Sequence, residues 1–227
     1  MITFESSDYP NPKLEVFAEE ISVAVRKYKS RIAILNTLLR QSGSSLQRYR
    51  LVFNKWKMPL NKRKSPPDLL EFASLLDQFD TICTNDEEWN KLRGVIAEKI
   101  FEPYFEQRHA DACEKGYGVK VLIDNVPVKY RPKQITSTDS PRQSVDAGAW
   151  NGEQAEFVEI KFSPTAFQLK DINYLKLLET RLDEKHIQHT IYLATFNDIE
   201  FTKSVLKADN LIDDSTKFQM IGIDDFL

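Results

Sequence analysis

One stretch limits what this chain can fold into more than any other: Ser144-Val-Asp-Ala-Gly-Ala-Trp-Asn-Gly-Glu-Gln-Ala-Glu-Phe-Val-Glu-Ile-Lys-Phe162. Asn151-Gly152 stands between two β-prone runs, a local hairpin signal. The second run alternates as a half-buried strand does, with Phe157, Glu159 and Lys161 facing one way and Val158, Ile160 and Phe162 the other. With a loop from Asn151 to Gln154, Trp150 pairs with Ala155 and Asp146 falls opposite Glu159. Directly opposed side chains on one face lie about 4.5–5.5 Å apart, so two carboxylates and an amine converge on one patch. Anions that close repel unless a cation neutralises them, and hard oxygen ligands suit Mg²⁺ or Mn²⁺. An isolated E-x-K is ordinarily no more than an exposed strand face. The aspartate across the hairpin is what lifts this one above that.

Charge is strongly segregated. From Ile21 to Pro67 there is no Asp or Glu, yet the stretch holds twelve basic residues, among them Arg48, Arg50, Lys55, Lys57, Lys62, Arg63 and Lys64. Outside it, 19 basic residues face 34 acidic ones. Such asymmetry predicts a polyanion-binding face. The alternative is a basic surface that docks on the chain's own acidic half or on an acidic partner.

At 227 residues the chain is one large domain or two small ones. A composition 41% hydrophobic and 29% charged is that of a soluble globular protein. No signal-peptide pattern is evident at the N-terminus, and no apolar run reaches the ~20 residues of a membrane span. Cys83 and Cys113 read as reduced core thiols of a cytosolic protein. Neither G-x-G-x-x-G nor a P-loop occurs, so nucleotide chemistry on a Gly-rich loop is not expected. His109, His186 and His189 have no further His or Cys to complete a zinc site and read as surface or loop residues. No G-x-S-x-G supports a serine hydrolase.

Residues 1–84 read as a helical module. Apolar residues from Leu14 to Leu39 recur at 3–4 spacing, Gly43 is a stop, and Ser44 or Ser45 caps a helix over Leu46 to Trp56. Tyr49, Phe53 and Trp56 at helical spacing fit a core, although aromatics interleaved with cations also suit stacking on bases. Asn61 to Pro67 is a linker, and a helix follows from Asp68 to about Ile82. Residues 85–227 read as helix, strand, strand pair, helix, strand, helix, strand, an α/β arrangement with a central mixed sheet flanked by helices. Their first helix begins near Asn85-Asp86 and is bent or stopped near Pro103. Strand material from Val119 to Tyr130 is broken by Asp124-Asn125 and Pro127, and a polar loop runs from Arg131 to Ser144. After the hairpin come a helix from about Thr165 to Lys185, a strand from His189 to Phe196, a helix from Asp198 to Ala208 and a strand from Lys217 to Ile223.

That order, with Asp146 and Glu159-Ile-Lys161 on adjacent strands, resembles the PD-(D/E)XK (restriction-endonuclease-like) nuclease superfamily across residues 88–202. Val145 stands where the family's proline often does. The resemblance implies a restriction-endonuclease-like core, with Asp146, Glu159 and the Ile160 carbonyl holding Mg²⁺ or Mn²⁺. Glu98, after Arg93-Gly94, matches the family's helix carboxylate, with Glu102 one turn on as the alternative. Lys161 would orient or deprotonate the attacking water, aided by a pKa lowered beside bound cations, and Gln168 matches a glutamine that several relatives carry on the following helix. Lys133 and Arg142, in the loop before Asp146, would touch phosphates near the cut. The implied protein is a metal-dependent DNA endonuclease of a restriction, phage-defence or mobile-element system. It would act alone, as a homodimer, or with a helicase or ATPase subunit docked on residues 1–85. A catalytically silent nucleic-acid-binding or scaffolding subunit of a defence or transposition complex is the alternative.

Overall fold

The computed structural model describes residues 1–6, 11–28, 30–60 and 65–226. Lys29, Lys62, Arg63 and Lys64 of the basic stretch lie outside the described residues. The chain divides into two compact units, Pro10–Ile100 and Met1–Tyr9 with Phe101–Phe226. The division thus falls inside a helix instead of at residue 84, and Met1–Ser6 group with Phe101–Phe226.

The first unit is helical: α1 (Pro12–Lys27), α2 (Ser30–Ser42), α3 (Leu46–Lys57), α4 (Pro67–Asp77), α5 (Phe79–Ile82) and the start of α6 (Asp86–Arg108). Ser45 caps α3 by accepting the Arg48 N–H. Trp89 is fully buried among Tyr49 and Phe79, at ring-centroid distances of 4.7 and 5.4 Å. Its indole N–H donates to the Gly43 carbonyl at 3.0 Å, which satisfies the one polar atom of that ring. Tyr49 and Phe53 are buried core residues, so the rings between the cations of α3 pack inward.

Pro103 does not end α6, which runs five residues further to Arg108. A proline removes the donor that the carbonyl four residues back requires, here that of Lys99. The hydroxyl of Ser22 on α1 donates to that carbonyl at 2.7 Å and takes the missing amide's place.

In the second unit, β1 (Ile2–Ser6), β2 (Glu114–Ile123), β3 (Val126–Pro127), β4 (Ser144–Trp150), β5 (Gln154–Lys161), β6 (Gln188–Thr195) and β7 (Gln219–Ile221) form one seven-stranded sheet. The strand order is β1-β2-β4-β5-β6-β7, and β3 pairs β2 off that path. Neighbours from β1 to β5 are antiparallel, while β5–β6 and β6–β7 are parallel. The two parallel connections carry α7 (Leu169–Glu184) and α8 (Ile199–Ala208), and α9 (Ile223–Phe226) follows β7. This is an α/β fold on a mixed open sheet. Strand β1 corrects the expectation of an all-helical N-terminus: Ile2 to Ser6 pair in register with Ile123 to Val119.

Asp124 and Asn125, both at positive φ (51° and 64°), turn β2 back into β3, the backbone a type I′ hairpin turn needs. The β4–β5 hairpin has the expected register, with Trp150 opposite Ala155 and Ala147 opposite Val158. On one sheet face Phe157, Ala155 and Leu193 pack with Tyr174, Leu175 and Leu178 of α7. Phe162 and Phe196 (4.4 Å between centroids), Phe226 and Phe101 continue a chain of rings that anchors the end of α6.

Candidate active site

Antiparallel pairing sets the first turn of β4 beside the last of β5, at the carboxyl end of the parallel strands, the edge of an α/β sheet where ligands bind. Asp146 and Glu159 meet there. Asp146 Oδ2 accepts the Ile160 backbone N–H at 2.7 Å, and Lys161 Nζ lies 3.4 Å from the same oxygen. The Lys161 ammonium also donates to Glu159 Oε1. The structure therefore brings Asp146, Glu159, Ile160 and Lys161 together on one patch, Ile160 through its backbone.

Arg142 completes the cluster, in a different role from the expected phosphate contact. Its guanidinium turns inward, donating to Glu159 Oε2 at 2.6 Å, to Asp171 Oδ1 and to Asp146 Oδ1 at 3.5 Å. Its Nε donates to the Ser144 carbonyl at 3.0 Å, which fixes the fork. Asp171, in the first turn of α7, is the residue that sequence reasoning missed. Its signal was an acidic third helical position, a capping cue: Asp171 Oδ2 accepts the Gln168 N–H at 2.9 Å. Gln168 sits just before α7 as its N-cap instead of on the helix, one step behind the cluster.

Burial governs the charges. Glu159 is fully buried and Asp171 nearly so. Three carboxylates face two cations, leaving one negative charge in excess. Burial, reinforced by Asp146 and Asp171, pushes the Glu159 carboxyl up to about 8 against the pull of Arg142 and Lys161. Burial also works against the Asp146 carboxylate, but Lys161, Arg142 and the Ile160 N–H outweigh it and hold Asp146 below its usual value. For Lys161 burial favours the neutral amine, yet Asp146, Glu159 and Asp171 prevail and keep it firmly protonated.

The donor set fits a hard divalent cation. Asp146 Oδ2 and Glu159 Oε1 converge on one cationic point, the Lys161 ammonium. Mg²⁺ commonly uses one or two carboxylates and fills its other positions with water and phosphate oxygens. Among the described residues no group of three or more His, Cys, Asp or Glu is set out as a metal cage.

The remaining expected residues lie elsewhere. Glu98 is half-buried on α6 in the helical unit, its Oε1 lying over Gly94. Glu102 belongs to the sheet unit, and its carbonyl accepts the Tyr117 hydroxyl at 3.5 Å. Lys133 is exposed on the loop after Arg131. On α3, Arg48 and Lys55 are exposed, whereas Arg50 and Lys57 pair with Asp80 and Asp77 at 2.8 and 2.6 Å. Arg31, from the same acid-free stretch, is buried and paired with Asp68 at 3.1 Å. Part of that basic stretch is thus neutralised within its own unit. A second polar cluster lies on β5 and β6: Arg108 donates to both Glu156 oxygens at 2.8 and 3.1 Å and to the Tyr192 hydroxyl at 2.7 Å, with His109 Nε2 3.3 Å from Glu156.

No family model matches the chain, and no curated protein matches it. Among solved structures it is similar to the crystal structure of protein VC1899 from Vibrio cholerae, with 13% identity and a TM-score of 0.41 over 96% of this chain. The chain spans 55% of that protein's length. Among the described residues no helix is long and apolar enough to cross a membrane.

Proposed function

We propose that the chain is a PD-(D/E)XK-type nuclease, a divalent-metal-dependent endonuclease that hydrolyses DNA phosphodiester bonds. The observation that carries the reading is the meeting of Asp146, Glu159 and Lys161 at the strand ends, two carboxylates and an ammonium within hydrogen-bond reach. Asp146 and Glu159 would hold Mg²⁺ or Mn²⁺, which when bound lowers the pKa of water and offsets charge at phosphorus. Lys161 holds a proton against both carboxylates. It is placed to orient a nucleophilic water and to donate toward charge that develops on the phosphate. Ile160 fixes Asp146 through its N–H, and Arg142, held by Asp171, fixes Glu159. A restriction, phage-defence or mobile-element setting belongs to the same proposal, as do a helicase or ATPase partner and a homodimer.

The test is cleavage of plasmid and linear DNA with Mg²⁺ or Mn²⁺, beside folded Asp146→Ala and Lys161→Ala proteins and an EDTA control. Metal-dependent cutting lost in both variants is the expected result. Cutting that survives both substitutions would sink the assignment. One observation favours the second reading, a silent nucleic-acid-binding subunit: Arg142 and Lys161 already neutralise both carboxylates. Salt-dependent DNA binding with no cutting under any metal would select it.

A further inference from the structure

Beside Asp146 lies a groove of about 530 Å³. It is lined by Lys129, Tyr130, Arg131, Arg142 and Asp146 together with Lys170 of α7. The groove is built, not a chance gap between side chains. Tyr130 and Arg142 exchange backbone hydrogen bonds of 2.8 and 3.1 Å that close the loop between them. The Tyr130 hydroxyl donates to Asp139 at 3.0 Å and accepts from Asn173 of α7 at 3.0 Å, and the Lys170 N–H donates to the Thr138 carbonyl at 3.0 Å. These bonds pin the loop to the start of α7.

Its charge is opposite to that of the chain as a whole. Four cations and a single carboxylate line it, in a protein of net charge −3. Arg142 is engaged by the buried carboxylates. Lys129, Arg131 and Lys170 have no ion pair among the described residues, while most other cations of this unit that border acidic neighbours are paired, as Arg108, Lys115, Lys185 and Lys207 are. Lys170 stands in the first turn of a 16-residue helix, where the helix dipole adds to the positive potential. Three uncompensated cations beside a carboxylate that would hold a metal make a seat for a polyanion, not for a neutral ligand.

We propose that this groove is a backbone subsite for a nucleic-acid strand, in which Lys129, Arg131 and Lys170 hold phosphates flanking the one at Asp146. The inference rests on the nuclease reading and relocates the substrate contacts from α3 to the rim of the candidate site. Recognition there is of charge and spacing, independent of base sequence.

The test uses the full chain carrying Lys161→Ala, so that labelled DNA stays intact, and compares it with the same chain carrying Lys129→Ala, Arg131→Ala and Lys170→Ala as well. Fluorescence anisotropy is followed between about 50 and 200 mM salt. The expected result is affinity at least about tenfold weaker at low salt and a log–log salt slope shallower by about 2–3 in the groove variant. Charge reversal at exposed Lys129 alone is expected to weaken binding more than Lys129→Ala, a check that does not depend on the triple variant's fold. Unchanged affinity and slope in the groove variants would overturn the groove and leave the nuclease reading standing. Displacement of DNA by inorganic phosphate beyond that by chloride at equal ionic strength would also overturn it, pointing to a single-phosphate pocket. No salt-dependent binding by the parent chain would defeat the nuclease reading itself.

Discussion

Arg142 and Asp171 decide how the candidate site is held. Asp171 caps α7 with one oxygen and holds the Arg142 guanidinium with the other, and Arg142 in turn braces Glu159. Removing one member of a buried ion pair costs about 3–5 kcal/mol, because the partner is left charged and dry. Arg142→Gln is therefore expected to lose that much stability in urea unfolding, and Arg142→Lys less, since a point charge keeps the Coulombic part and forfeits the fork. Arg142→Gln also deepens the cluster's negative charge, so divalent-ion affinity measured by titration calorimetry should rise; an unchanged affinity would show that Arg142 and a metal do not compete. Glu156 gives a pH signature away from the site. Burial works against its carboxylate, but His109 and Arg108 overcome this and lower it to about 2. A carboxyl depressed on folding stabilises above its unfolded value near 4.5 and loses that contribution as pH falls toward 2. Glu156→Gln should thus cost about 2–3 kcal/mol at neutral pH, and the difference from wild type should shrink progressively in melts taken from pH 4.5 down toward 2. Asp146, Glu159 and Lys161 were legible because hairpin register and strand alternation are local rules. Arg142 and Asp171 were not, since their meeting depends on how a loop and a helix start fold over the strand ends.

At the scale of elements, two misread features share a cause: a distant segment supplies what the local sequence lacks. Pro103 ought to interrupt α6, and the Ser22 hydroxyl lets the helix run through by donating to the Lys99 carbonyl. Ser22 is fully buried, so Ser22→Ala, which removes its bond to that carbonyl, should cost about 1–3 kcal/mol. In the Pro103→Ala background, where an amide can reach Lys99 again, the same substitution should cost well under half as much. Additive losses in this double-mutant cycle would refute the account. Strand β1 escaped notice because five residues carry too little periodicity, although Ile2 and Phe4 alternate as a strand requires. Its place is kept by a missing side chain on β4. A Cβ on Gly148 would lie 2.7 and 2.9 Å from the Phe4 ring. Gly148→Ala should cost about 1–3 kcal/mol by overpacking, with much of it recovered by Phe4→Leu, which clears the ring. Elements with strong local signals, such as α3 behind Ser45 and β5 behind Asn151-Gly152, lie where the sequence puts them.

For the whole molecule, the question is where a chain of net charge −3 keeps its positive potential. Sequence alone points to the acid-free stretch from Ile21 to Pro67, because a linear reading counts charges and cannot see their partners. Folding brings Glu19 to Arg26, Asp68 to Arg31, Asp80 to Arg50 and Asp77 to Lys57, so acidic residues outside the stretch answer four of its cations within the helical unit. The more exposed of these pairs, those of Arg26, Arg50 and Lys57, contribute little stability, but all four lower the field that a phosphate backbone would meet. The rim of the candidate site is the reverse case, poor in sequence signal and rich in unanswered cations. Full chains carrying Arg50→Gln and Lys57→Gln should therefore bind DNA within about twofold of the parent, with a salt slope changed by less than about 1. Their melting should shift only slightly, since each loses a solvent-facing pair. A drop in affinity as large as that expected from the groove substitutions would return the main polyanion surface to α3 and make the helical unit the substrate-binding part of the protein.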